Sequence, residues 1–437
     1  MNLSNIGRLL VFSALTAASI YAQVGGYAVM PTADPGSARS HAWVAAVTPD
    51  LTVSHGPGQN CGVSETVVCY YNPADLQTAY AVNSIAHSNG GAGITVAIVD
   101  AYYNSQTEAD LATYSSAFGL PACSVASGCL TIVSQTGAVC TVMPTPCSTS
   151  ATFNGEGWAL ETDLDVEAVH AMAPNAHILL VTATSDSNVN LFTAVAYAYA
   201  HADVVTDSWG ENEFSGETAA ESVFSASTVP ILFSAGDAGA VAEYPCMSAY
   251  TVCVGGTKLL VTATSFRKAE SAWGTDSQGG GGGGCSAYIS APAWQSGFST
   301  SACGSARGAP DIAAVADEYT GMNTYLGSFA ALGLSSSCTP TLCPAGGYVI
   351  GGTSLASPLM AGLVALIDAD RVYNGHSKLG SNMAHSLYTG AGTSYRYRYY
   401  DVTTGSTGFA AGTGWDRATG LGVVLGPAFA VWYLTQP

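Results

Sequence analysis

Three stretches of this chain carry side chains whose types and spacing suit acyl-transfer chemistry. The first is Gly351-Gly-Thr-Ser-Leu-Ala-Ser-Pro358, which runs into the apolar stretch Leu359–Ile367. A serine in a tight glycine-rich turn at a helix start presents an exposed hydroxyl. The free N–H groups and the helix dipole there favour negative charge on a nearby carbonyl oxygen. The plainer alternative for Ser354 is an N-cap before a core helix. The second stretch is Gly157–His170, where Glu161 and Asp165 stand four apart and share one helix face while Asp163 points elsewhere. Like charges stacked this way destabilise an isolated helix, so the pair needs a reason. Sharing a proton supplies one, because repulsion raises one pKa and poises the pair at acidic pH. A solvated acidic face is the alternative, weakened by the interspersed Leu160, Leu164 and Val166. The third stretch is Phe233-Ser-Ala-Gly-Asp-Ala-Gly239. Asp237 there is either a turn residue or, when protonated, a hydrogen-bond donor to an oxyanion.

The elements that must position these groups alternate between strand and helix. Ile94–Asp100, His177–Ala183, Asp203–Trp209 and Val229–Ser234 are short runs rich in β-branched residues, as expected of buried parallel strands. Helical spacing of apolar residues covers Glu108–Phe118, and helices are also expected at Asn188–His201 and Glu217–Ser227. Such alternation implies βαβ crossovers and an α/β fold: a mostly parallel central sheet with helices on both faces, in one large domain. Asp237 then falls just past a strand, on the edge where such sheets place ligands, and Asp100 ends the first strand. The six-glycine run Gly279–Gly284 is either a flexible linker or a place where backbone approaches an extended ligand closely.

The bulk composition narrows the functional classes. The 437 residues carry 30 acidic and 11 basic side chains, a formal charge of -19, yet only 9% are charged and 48% are hydrophobic. Nucleic acid and anionic membrane surfaces need clustered Lys and Arg, so neither is expected as a partner. Few cations remain to repel one another once the carboxylates neutralise, which suits an acidic medium. Residues 1–22 read as a signal peptide, with Arg8 ahead of the apolar run Leu9–Ile20 and small residues at the possible cuts, Ala18 and Ala22. No later stretch reaches the ~20 apolar residues of a membrane span. A secreted, soluble monomer is expected, extracellular or periplasmic. Twelve cysteines fall into close pairs, Cys61/Cys69, Cys123/Cys129, Cys140/Cys147, Cys246/Cys253, Cys285/Cys303 and Cys338/Cys343, a pattern of loop-pinning disulfides rather than metal ligands.

Taken together the motifs resemble a known family. Gly-Thr-Ser-x-x-x-Pro before an apolar helix is similar to the nucleophile segment of subtilisin-like peptidases. An ordinary member needs an Asp at the end of its first strand, where Asp100 stands here, and a histidine base in a His-Gly-Thr context, which none of the eight histidines has. The helix where it belongs carries Glu161-Thr-Asp-Leu-Asp165 instead. Glu-x-x-Leu-Asp ahead of Ala-Pro-x-Ala, then Ser-Ala-Gly-Asp-x-Gly, then Gly-Thr-Ser-x-x-x-Pro resembles the sedolisins, the serine-carboxyl peptidases. Tyr71–Tyr80, Val254–Thr257, Pro292–Gln295 and Arg307–Asp311 agree, so the likeness runs from about residue 70 onward. It implies a subtilisin-like fold over 66–437 and acid-active cleavage of protein or peptide substrates; the short segment over 23–65 is Gly/Ala/Pro-rich and weakly patterned to about residue 60, as expected of a loosely packed N-terminal stretch. The resemblance also implies Ser354, Glu161, Asp165 and Asp237 as the catalytic set. One structural Ca2+ is implied as well, held by Asp401, Val402, Gly412, Gly414 and Asp416, an all-oxygen donor set that suits a hard cation. Two departures stand out. The family's long prosegment, removed on activation, has only residues 23–70 to correspond to it, and Gly351 replaces a common serine, with little effect expected. An ordinary alkaline serine peptidase and a catalytically inactive secreted binding protein are the rival readings.

Overall fold

Along the strand Thr95–Ala101, alternate residues enter opposite cores. Val96 and Ile98 join one hydrophobic cluster, while Ala97, Val99 and Ala101 join the other. The strand His177–Ala183 divides the same way, Ile178 and Leu180 against Leu179 and Val181. Side chains on a strand point alternately to its two faces, so both faces of this sheet are covered.

The structure is a computed structural model that describes residues 36–44, 52–56, 67–142, 145–149, 153–274, 279–327 and 347–434. The expected signal peptide, Cys61, Cys338 and Cys343 lie outside these residues. Among the described residues the main sheet has ten strands. Along it run Tyr399–Tyr400, Val423–Val424, Ile312–Val315, Val252–Val261, Ile231–Ser234, Val204–Asp207, Thr95–Ala101, His177–Ala183 and Leu130–Ser134, with Arg267–Ala272 pairing off Val252–Val261. Every pairing from Val423–Val424 to Leu130–Ser134 is parallel. From Thr95–Ala101 the chain builds first to one side, through Leu130–Ser134 and His177–Ala183, and then to the other, through Val204–Asp207 and Ile231–Ser234. That reversal is the place where open α/β sheets bind ligands, beyond the carboxyl ends of the strands.

On one face lie the helices Phe153–Met172 and Thr353–Tyr373; on the other, Asn188–His201 contributes Leu191, Ala194, Val195 and Ala198 to the core. Thr353–Ala369 is buried without interruption, as expected of a helix apolar all round. The two first-face helices cross closely because of Gly362. A Cβ there would come within 2.7 Å of Met172 Cβ, and a side chain at this point would hold the helices apart.

Two expectations from the sequence change here. Residues 36–44 are not loosely packed: Ser40, His41 and Ala42 are buried. Arg39–Ser40 pairs antiparallel with Trp209–Asn212, and Trp43–Val44 pairs antiparallel with Tyr348–Gly351. Two rows of backbone hydrogen bonds hold a stretch too short to own a core. The glycine run is not a linker either. Gly280, Gly281, Gly282 and Gly283 donate to the carbonyls of Asp237, Trp273, Gly236 and Val241. A Cβ at Gly282 would overlap the Ala235 carbonyl, so only glycine lets this backbone lie against the Asp237 loop. Disulfides join Cys123–Cys129, Cys140–Cys147, Cys246–Cys253 and Cys285–Cys303, as the spacing suggested, and Cys69 is disulfide-bonded too.

Candidate active site

The helix Thr353–Tyr373 starts at a turn that only glycine tolerates. Gly352 has φ +92°, and a Cβ there would overlap the His41 carbonyl oxygen and lie 2.7 Å from Asp237 Oδ2. Gly351 is equally constrained, since a Cβ would run into the backbone of Ala316 and Glu318. A serine at 351 therefore does not fit, contrary to the expectation of little effect. The turn places Ser354 in the first turn of the helix.

Asp237 is tied to that same turn. Its Oδ1 accepts from the Thr353 N–H (2.8 Å) and the Thr353 hydroxyl (2.7 Å), while Oδ2, also buried, has no hydrogen-bond partner. Burial pushes the Asp237 carboxyl up to about 7, against the pull of His41 and the Thr353 bonds. A carboxyl with that value is protonated in acid, and its free oxygen can then donate.

Glu161 and Asp165 sit on the neighbouring helix, both fully buried. Burial, and then the charge of Asp100, raise the Glu161 carboxyl well above its ordinary value, while the nearby Ser354 side chain pulls the other way. Glu161 Oε2 accepts from the His41 N–H at 2.9 Å, and Oε1 has no partner. Asp165 Oδ1 accepts from the Ser208 hydroxyl at 2.7 Å. Ser208 is cross-braced to the helix start, for its carbonyl accepts from Ser354 Oγ at 3.4 Å. Asp165 is raised by burial, then by Asp100 and Glu161. All four residues singled out from the sequence thus meet at the carboxyl ends of Thr95–Ala101, Val204–Asp207 and Ile231–Ser234. Ser354 departs from expectation in one respect: its hydroxyl is buried, not exposed.

Other residues of the site were not singled out from the sequence. Asp100, noted there only as standing where an ordinary subtilisin-like peptidase has an Asp, is fully buried, and burial pushes it up to about 8. Asp207 is raised by burial and by Asp100. Asp100, Glu161, Asp165 and Asp207 therefore form one cluster that cannot ionise fully and must share protons. Each ends a strand or faces inward from a helix, but only strand order makes them neighbours. Among the described residues one histidine, His41, lies at this turn, and its ring is turned away from Ser354: Nδ1 bonds Ser234 Oγ (2.7 Å) and Nε2 bonds Glu243 Oε2 (2.9 Å).

The residues expected to hold a metal gather elsewhere. The Gly414 N–H donates to Asp401 Oδ1 (3.0 Å) and the Gly412 N–H to Asp416 Oδ2 (2.8 Å), so both carboxylates converge on the 412–416 loop. Val402 adjoins Asp401 and is buried. Burial raises Asp416, and among the described residues neither carboxylate forms an ion pair with Lys or Arg.

The fold has known counterparts. The profile of the subtilase family matches residues 145–422. Kumamolisin of Bacillus sp. (strain MN-32) is 29% identical over 391 residues, covering 82% of this chain and 62% of that protein. Sedolisin of Pseudomonas sp. (strain 101) is 35% identical over 190 residues, 41% of this chain and 28% of that one. The chain thus spans less than two thirds of either relative. Among solved structures, Pseudomonas sedolisin, a serine-carboxyl proteinase complexed with two molecules of pseudo-iodotyrostatin, matches with a TM-score of 0.67 at 26% identity. That match covers 84% of this chain and 98% of that one. The chain belongs to the subtilase family and, within it, to the sedolisins.

Proposed function

We propose that this protein is a secreted, acid-active serine-carboxyl endopeptidase in which Ser354 is the nucleophile and Glu161 its general base. The observation that carries the reading is a buried, unpartnered Glu161 oxygen whose carboxylate is tied through the His41 N–H to the Ser354 turn, where the His41 imidazole is bound to other groups. Ser354 Oγ attacks the peptide carbonyl carbon as Glu161 takes the hydroxyl proton. The oxyanion accepts hydrogen bonds from protonated Asp237 and the Ser354 N–H. Glu161 then returns its proton to the departing amine, leaving an ester on Ser354 that water hydrolyses by the same steps. Asp165, fixed by Ser208, positions Glu161 and exchanges a proton with it.

The pH dependence follows from the acid. A histidine base, with a pKa near ~6.5, is protonated and useless at about pH 4, whereas an ordinary carboxyl near ~4.3 is still partly ionised there; the burial that raises Glu161 confines its ionised form to the upper part of the acid range. The oxyanion donor works only while Asp237 holds its proton, below about pH 7. As pH rises through that value the donor becomes an anion facing an anion, and turnover is lost. Cleavage of a denatured protein across pH 2–8, with the fragments sequenced, tests this. An acidic optimum and internal cuts are expected; an optimum above pH 7 rules the mechanism out. Labelling of Ser354 by a peptide aldehyde at about pH 4 separates it from an inactive scaffold.

The loop at 401–416 fits a structural calcium ion. Two converging carboxylates without a cationic partner, one of them raised by burial, are what a hard divalent ion stabilises. The carboxylates of Asp401 and Asp416 and the carbonyls of Val402, Gly412 and Gly414 would hold it. Bound there, it would neutralise the two anions and pin the loop.

A further inference from the structure

The end of the helix Phe153–Met172 meets three side chains that the catalytic reading does not use. His170 stands seven residues after Asp163 and three after Glu167, so it shares their face of the helix, opposite Glu161. Beside it lies the connection 119–129, which joins the helix Thr107–Phe118 to the strand Leu130–Ser134 and carries the disulfide Cys123–Cys129. A ring nitrogen of His170 and the two Sγ atoms lie within 4.8 Å of one another. Among the described residues, no other three side chains of His, Cys, Asp or Glu converge so closely. The cysteine spacing pointed only to a disulfide, because the histidine comes from a distant part of the chain.

The imidazole is already oriented as a ligand. Its Nε2 lies 2.9 Å from the Pro121 carbonyl oxygen, which can only accept, so Nε2 carries the proton. Nδ1 then keeps its lone pair, and it is buried with no hydrogen-bond partner. In a plain core position such a bare acceptor is a cost. One N–H fixed on a backbone carbonyl and the other nitrogen free is how a histidine holds a metal.

The sulfurs are held beside this ring by more than their bond to each other. The Ser124 N–H donates to Ser127 Oγ and the Ser127 N–H to Ser124 Oγ, both at 3.1 Å. The Val125 N–H donates to Glu108 Oε1 (2.9 Å), and the Ile178 N–H to the Cys129 carbonyl (2.8 Å). None of these bonds needs the disulfide, so reduction leaves both cysteines next to His170.

We propose that reduction of Cys123–Cys129 opens a zinc site in which the two thiolates and His170 Nδ1 hold the ion. Two sulfurs and one imidazole are a donor set that zinc takes, with water as the fourth ligand. Cys129 is only half-buried, which leaves water a way in. A phosphine supplies the electrons: the S–S bond breaks, each sulfur ends as a thiol, and the phosphine becomes its oxide with oxygen from water. Zn2+ then displaces the two thiol protons to solvent. The filled site has no net charge, which a buried position accepts. The ion would replace the disulfide as the clasp between this connection and the helix that carries Glu161 and Asp165. The all-oxygen loop at 401–416 suits a harder ion, so the two sites do not compete. The proposal needs the fold alone and stands apart from the peptidase reading.

The test takes the full chain, reduced with a phosphine at about pH 7, and alkylates it with iodoacetamide with and without Zn2+. Mass spectrometry then gives the rate at each cysteine. Zn2+ should slow Cys123 and Cys129 by about tenfold or more and leave Cys140, Cys147, Cys246 and Cys253 within about twofold. Equal rates at Cys123 and Cys129 with and without Zn2+, or equal slowing at every cysteine, overturn the site. His170→Ala should weaken zinc binding to the reduced chain by about 10²-fold or more. Unchanged affinity in that variant overturns the proposal too. The alkylation needs no variant, so it decides even if His170→Ala does not fold.

Discussion

One helix, Phe153–Met172, carries two sets of buried carboxyls, and they are built on opposite terms. Asp163 is fully provided for: Thr107 Oγ1 donates to it at 2.7 Å and Asn104 Nδ2 reaches both its oxygens, at 3.1 and 3.0 Å. Two residues on either side, Glu161 and Asp165 each keep one buried oxygen with no partner. Burial raises all three carboxyls, so a raised pKa alone does not tell the sets apart. What distinguishes them is what lies beside the open oxygen, for Glu167 on the Asp163 side also keeps one unpartnered, next to the Tyr325 N–H and not a serine hydroxyl. A network that uses every acceptor fixes a loop to a helix, whereas an acceptor left open beside a hydroxyl can take up a proton.

The largest effect that would break this comparison is on rate. Glu161→Ala should lower kcat by about 10⁴-fold, as loss of one member of a catalytic unit does, while leaving the fold intact. Near-normal turnover in that variant would end the distinction. Next comes the dependence of stability on pH. Asp237 is raised to about 7 and Asp100 to about 8, both by burial. Folded-state values above the unfolded ones mean that the folded protein binds more protons. The stability they contribute is fully present below about pH 4 and is lost as pH rises toward 8. The loss is on the order of a few kcal/mol, seen as a Tm that falls from acid to neutral. A flat Tm over that window would show the cluster to be otherwise neutralised.

A smaller effect sharpens the division within the reactive set. Asp165→Asn keeps the shape and the Ser208 bond but cannot pass a proton, and kcat should fall about 10²-fold with KM little changed. The smallest effect falls on the other face. Asp163→Ala strands the donors of Thr107 and Asn104 and should cost about 1–3 kcal/mol in urea unfolding. Its kcat should remain within a few-fold of wild type. An Asp163→Ala enzyme as slow as Glu161→Ala would make the two faces one network.

Much of this was legible in the residues themselves. The strands Thr95–Ala101 and His177–Ala183 follow from β-branched runs, and the shared face of Glu161 and Asp165 follows from four-residue spacing. The helix behind Ser354 follows from an apolar stretch opened by two glycines. Each of these rests on local periodicity, which acts over a few residues and needs no partner. Three features did not follow. Asp100 and Asp207 join the carboxyl cluster only because strand order sets Thr95–Ala101 beside Val204–Asp207. The glycine run and Gly351 are forced by backbones distant in sequence that press against them. Residues 36–44, which carry no pattern of their own, take their conformation from the open strand edges at Trp209–Asn212 and Tyr348–Gly351.

The sequence by itself determined which groups could do chemistry and which short elements would hold them, because residue type and local spacing decide both. Tertiary structure alone decided how many carboxyls share the site, which oxygens stay unpaired and which strand crosses the cleft. These depend on contacts between positions far apart in the chain, whose register is set only when sheets pair and helices pack.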